Sequence, residues 1–279
     1  MQKSMYSNIQ AAAQALLPVF CFIMLYETAL AASDWMYIWL CAAQAAGRLP
    51  QWLSSGIMDS EADFRAAACG IGMALSFLPF TGQCAGAVRR TRKLIFAENS
   101  AAKRRPRLPN QVQWIVPVTG TICLSLGVNS LLSLTRLSGS AAGQDSLAGS
   151  VSLPLGIAVF GMLTPFAEEF IFRGLLYDRL RFVAGMGKMQ AVFLGSAVFA
   201  LYHGNPAQAI YAFIMSFAFF YIWLSEGQPG LVCGLHAACN IFSLLLASLG
   251  VYNLICTPVW CACLMAVALI CGAILRPLF

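Results

Sequence analysis

Charge is what this sequence has least of. Only 10% of its 279 residues are Asp, Glu, Lys or Arg and 59% are hydrophobic, against roughly 25% and 45–50% in ordinary soluble domains. So little polar surface cannot coat a water-soluble fold, which excludes soluble enzymes and points to an all-α, polytopic membrane protein. Histidine is scarcer still, at two residues, His203 and His236. No CxxC pair occurs, and the closest spacing, Cys261-Ala-Cys263, has no histidine beside it. Most of the eleven cysteines sit in apolar runs and read as small hydrophobes, not as a metal or disulfide framework. Neither an internal repeat nor a soluble domain is visible. The 17 basic residues form no stripe, so no nucleic-acid partner is expected: eight of them lie between Arg89 and Arg107.

What is present is a succession of apolar runs separated by short polar stretches. The first, about Ala11 to Ala32, is long enough for a ~30 Å hydrocarbon core and lacks a signal-peptidase site, so it reads as a retained span. Trp35 to Ala46, aromatic but half as long, suits an interfacial helix. Asp59, Glu61 and Asp63 mark a solvated loop. A second span, about Ala66 to Val88, is expected to stop at Arg89-Arg90-Thr91-Arg92-Lys93, and the basic loop 89–107 is expected to be cytoplasmic. Spans follow at about Val112 to Leu134 and Val151 to Arg173, with a Ser/Gly/Ala-rich linker, Ser138 to Ser150, between them. Met189 to His203, Ala207 to Leu224, Gly230 to Leu249 and Leu254 to Leu275 complete about eight spans, the fifth of them short. Both termini then fall on the cytoplasmic side. The chain divides into an N-terminal transmembrane region, 1–111, and a transmembrane core, 112–279.

Against this background the polar side chains within spans are few. Glu168 and Glu169 end an uncharged run, and ionisable groups in such a setting are candidates for function. Glu169 and Arg173 are four apart and share a helix face in the favourable order for an ion pair, whereas Glu168 is turned by about 100°. Pro165, one turn earlier, is expected to kink the helix and free a backbone carbonyl. Phe199 and His203 are four apart, as are His236 and Asn240. Each has an ordinary alternative: a solvated helix end for the carboxylates, a snorkelling Arg173, an interfacial His203, a His236–Asn240 pair bonding helices together. Their concentration on successive spans favours chemistry. A carboxylate beside an imidazole activates water, and an imidazole with an amide donates to an oxyanion. The expected span ends conflict with this, because they put Glu168 and His203 near opposite faces.

Glu168-Glu169-x-x-x-Arg173, Phe199-x-x-x-His203 and His236-x-x-x-Asn240, in that order, resemble the three motifs of the CPBP family of intramembrane proteases. That family includes the type II CAAX prenyl endopeptidases and the bacterial Abi proteins linked to bacteriocin self-immunity. The resemblance covers 151–249. It implies a membrane-embedded catalytic cavity, water activation by Glu168 with His203, and oxyanion stabilisation by His236 and Asn240. Glu169, Arg173 and Phe199 become supporting residues. A zinc ion on Glu168, His203 and His236, and a metal-free glutamate mechanism, are both open on these letters. The implied partners are membrane lipid and a membrane-associated peptide or protein substrate of the CAAX type, prenylated or not. A non-catalytic membrane partner, such as an immunity or scaffold protein, and a transporter are the competing readings. The transporter is weakened by the lack of repeated halves with broken helices.

Overall fold

The computed structural model describes residues 2–50, 61–101, 110–135 and 150–275, with side chains for 10–50, 61–98, 114–135 and 150–275. The expected loop residues Asp59 and 103–107, and the linker up to 149, lie outside the described residues. Every regular element described is helical. In chain order these are α1 (Gln2–Ala45), α2 (Glu61–Phe77), a 3-10 turn at Leu78–Phe80, α3 (Thr81–Ala101), α4 (Asn110–Leu134), α5 (Leu153–Phe182), α6 (Lys188–Tyr202), α7 (Pro206–Glu226), α8 (Pro229–Ser248), a single turn Tyr252–Ile255, and α9 (Pro258–Leu275).

Seven helical stretches are long and apolar enough to cross a membrane, with α2 and α3 forming one of them, and α6 is a shorter apolar helix of 15 residues. The chain is an integral membrane protein built as an all-α bundle. Three expected boundaries are corrected. Trp35 to Ala46 is not a separate interfacial helix, because α1 runs unbroken through it: no Gly or Pro occurs between Pro18 and Gly47, whose φ of +65° ends the helix. The cluster at Arg89 does not stop its helix either, since Lys and Arg are good helix formers, and α3 continues to Ala101. Likewise α5 passes Arg173 and ends at Phe182.

One core of buried apolar side chains draws on both ends of the sequence. Val19, Phe22 and Tyr26 of α1 and Met73 and Phe77 of α2 lie in the same cluster as Phe172, Leu176, Phe199, Phe219 and Leu235. Small residues set the spacing around α5. A Cβ on Gly161 would meet Ile241 Cγ1 of α8 at 2.6 Å, and one on Gly70 of α2 would meet Val159 Cγ2 at 2.9 Å. The first half of α5 is therefore held between α2 and α8 at backbone distance. Its other end is clasped by α3, where Arg90 Nε and Nη2 donate to Asp178 Oδ1 and Oδ2, both at 2.8 Å.

Candidate active site

The site begins with an irregularity in α5. Its hydrogen bonding is α-helical at Leu153–Gly156, Thr164–Glu168 and Tyr177–Phe182, and π-helical at Ile157–Leu163 and Glu169–Leu176. Proline explains the first widened stretch. The Thr164 N–H reaches back to Val159 O, so the next bond in that register would join residue 165 to Phe160 O, and Pro165 has no N–H to give. The carbonyl expected to be freed is Phe160 O, and Asn240 Nδ2 of α8 donates to it at 2.9 Å. Asn240 is thus part of the α5–α8 joint.

The widened second stretch starts at Glu169, and both carboxylates face one imidazole. His236 Nδ1 donates to Glu169 Oε1 at 2.7 Å, and His236 Nε2 stands 3.8 Å from Glu168 Oε2. The first is a short charge-assisted hydrogen bond; the second is too long for a direct bond. Glu168 and Glu169, although turned by about 100° from each other on the helix, flank the same His236. Arg173 Nη1 lies 3.0 Å from the same Glu169 Oε1. Arg173 does not snorkel: it is 2% exposed, and its guanidinium carbon lies 4.1, 5.5 and 5.4 Å from the ring centres of Phe199, Phe219 and Phe220. Glu168 and Glu169 are 5% and 3% exposed.

His203 caps the C-terminal end of α6. Gly204, with φ +66°, and Asn205, whose Oδ1 accepts from the N–H groups of Ala207 and Gln208, turn the chain into α7 there. His203 Nδ1 donates to Phe199 O at 2.8 Å. The ring of Phe199 lies 4.8 Å from that of His203 and 6.3 Å from that of His236, and so joins the two histidines. The expected separation of Glu168 and His203 on opposite faces is thereby corrected. From Glu168 to Phe182 α5 rises about 21 Å, and from Lys188 to Tyr202 α6 rises by the same amount. A short α6 returns the chain to the depth of Glu168.

Several side chains around this cluster went unseen in the sequence reading. Tyr202 stacks between His203, 5.5 Å away, and Phe172, 5.4 Å away, and also meets Tyr26 of α1 at 6.2 Å. The Tyr26 hydroxyl is 2.8 Å from Cys69 Sγ of α2. Helices α1 and α2 therefore border the site, and Glu27, a carboxylate inside the first span, was the available signal.

With both Nδ1 atoms engaged, each imidazole presents Nε2. Among the described residues no group of three or more His, Cys, Asp or Glu side chains is arranged to hold a metal ion.

The helical membrane bundle thus encloses two buried carboxylates and two oriented imidazoles. Residues 150–242, which contain Glu168, Glu169, Arg173, His203, His236 and Asn240, match the family described as type II CAAX prenyl endopeptidase Rce1-like, a match that supports the CPBP/CAAX protease family. No curated protein and no solved structure matches the chain.

Proposed function

We propose that the chain is an intramembrane endopeptidase that hydrolyses a peptide bond in a membrane-associated or lipid-modified substrate of the CAAX type. The observation that carries this reading is the pairing of Glu168 with His236 Nε2 at 3.8 Å, beside a second carboxylate that already holds His236 in place. Glu168 takes a proton from water, with His203 Nε2 accepting a hydrogen bond from the same molecule. The hydroxide oxygen adds to the scissile carbonyl, whose oxygen gains the electron pair. His236 donates to that oxygen only when its ring carries both protons. Glu169 Oε1 then balances it, and with the water proton on Glu168 the charges of Glu169, Arg173, the imidazolium and the oxyanion sum to zero. The second N–H of Asn240 is the other donor, the first being held by Phe160 O. When the tetrahedral intermediate collapses, the C–N bond breaks and the proton held by Glu168 passes to the leaving amine.

The basic residues near the Phe182 end, including Arg89, Arg90, Arg92, Lys93, Arg179 and Arg181, support placing that end on the cytoplasmic side. The test is cleavage of prenylated and unmodified C-terminal peptides by purified protein in lipid vesicles. Glu168→Ala is expected to lower kcat by about 10³-fold or more with the fold retained. Equal cleavage by the variant, or none by the wild type on any peptide, would sink the protease. Peptide binding without turnover would point to the non-catalytic partner instead.

A further inference from the structure

The rise of α1 is bracketed by two contacts. At one end Arg179 Nη2 donates to Gln14 O at 2.7 Å, where α5 approaches its Phe182 end. At the other, Arg65 Nη1 donates to Asp34 Oδ1 at 2.5 Å, beside the acidic first turn of α2. The 20 residues from Gln14 to Asp34 rise about 30 Å, the thickness of a hydrocarbon core. Glu27 lies 7 residues from Asp34 and 13 from Gln14, so it sits about 10 Å inside one border and about 20 Å from the other. That is close to the depth of Glu168, whose 11-residue distance from Arg179 corresponds to about 16 Å.

Glu27 is exposed, as is its neighbour Thr28. Among the described residues no basic side chain forms an ion pair with it. A carboxylate at this depth is too costly to face lipid tails, and such groups face a wet cavity or meet an opposite charge. Its surroundings say which cavity. Tyr26, the preceding residue, contacts Tyr202, which contacts His203. The short α6 ends here, and Leu201 and Gly204 at its tip are exposed. Glu27 therefore lies at about the depth of Glu168, next in sequence to the tyrosine that joins α1 to the Tyr202–His203 end of α6.

We propose that Glu27 is a subsite for the cationic side chain of a Lys or Arg in the substrate, engaged as the peptide reaches Glu168 from the membrane. The proposal rests on the protease reading for its substrate, and it adds a charge preference that nothing in the 150–242 stretch supplies. An aspartate preserves the charge on a shorter arm, an amide removes it and a lysine inverts it, so the preference is expected to follow that order.

The experiment uses the full chain in vesicles and matched peptides carrying Lys or norleucine at successive positions on the N-terminal side of the cleaved bond. Binding is read on the Glu168→Ala chain, and cleavage on the chain with Glu168 intact. At one position the Lys peptide is expected to bind at least about tenfold tighter than its norleucine twin. Glu27→Asp keeps part of that ratio, Glu27→Gln brings it to about one, and Glu27→Lys reverses it. Each variant is checked for an unchanged thermal transition first. A ratio near one with Glu27 present, or a ratio that survives Glu27→Gln, overturns the subsite even if every peptide is cleaved. A Glu27-dependent binding ratio without cleavage upholds the subsite and instead removes the protease reading.

Discussion

Glu168 and Glu169 are adjacent in sequence, and what separates them is their partners. Glu169 holds Arg173 at 3.0 Å and His236 at 2.7 Å through one oxygen, while Glu168 has only the 3.8 Å approach of His236 Nε2. In the proposed mechanism the first orients its partners and the second takes the proton. Glu168→Gln is therefore expected to abolish turnover and leave the thermal transition of the purified protein nearly where it was. Arg173→Ala leaves a carboxylate buried without its cation, a change that costs about 3–5 kcal/mol, so its transition should fall well below that of Glu168→Gln. Arg173→Lys is not a conservative rescue, because an ammonium does not stack against Phe199, Phe219 and Phe220 as the planar guanidinium does. A thermal ramp with tryptophan fluorescence on the three variants checks this order. Equal transitions for Glu168→Gln and Arg173→Ala would contradict the division of roles.

At the scale of the element, α5 owes its shape to Pro165. The proline removes the donor for Phe160 O, the helix widens, and Asn240 supplies the missing N–H from α8. Asn240→Ala leaves that half-buried carbonyl without its donor, at about 1 kcal/mol, the low end for an unpaired group. Pro165→Ala restores a backbone donor, so the asparagine becomes less necessary. The two changes are expected to be non-additive, with Asn240→Ala milder by about 1 kcal/mol in the Pro165→Ala background, as a double-mutant cycle of unfolding free energies measures. The sequence was informative here for local reasons. A proline one turn before two carboxylates implies a freed carbonyl, and four-residue spacings put Glu169 with Arg173 and Phe199 with His203 on common faces. What it could not supply was the acceptor and donor across helices: Asn240 lies 80 positions from Phe160, and His236 lies 67 from Glu169. Helix ends misled for a different reason. A bilayer sets how much of a helix is apolar and not how long the helix is, so α1, α3 and α5 all continue past the charged or aromatic residues taken as their limits.

On the scale of the whole molecule, the first hundred residues belong to the site as physically as the stretch that matches a known family. Tyr26 and Cys69 border it, Phe22 and Met73 share its core, and Arg90 neutralises Asp178 at the end of the helix that carries Glu168 and Glu169. Composition made the membrane bundle legible and motif order made the second half legible, but packing between distant apolar runs leaves no mark in a sequence where most residues are apolar. The Arg90–Asp178 clasp offers the test. Asp178 is 1% exposed on its side chain whereas Arg90 is 60% exposed, so removing Arg90 strands a buried carboxylate while removing Asp178 only returns an arginine to water. Arg90→Ala is expected to cost about 3 kcal/mol, the low end for a broken buried pair because solvent reaches the arginine. Asp178→Asn should cost less, and adding it to Arg90→Ala should recover part of the loss. Unfolding of the three proteins in the same detergent reads the order directly. If Arg90→Ala proved neutral, α3 would merely lie against α5, and the N-terminal helices would lose their claim to hold the catalytic helix in place.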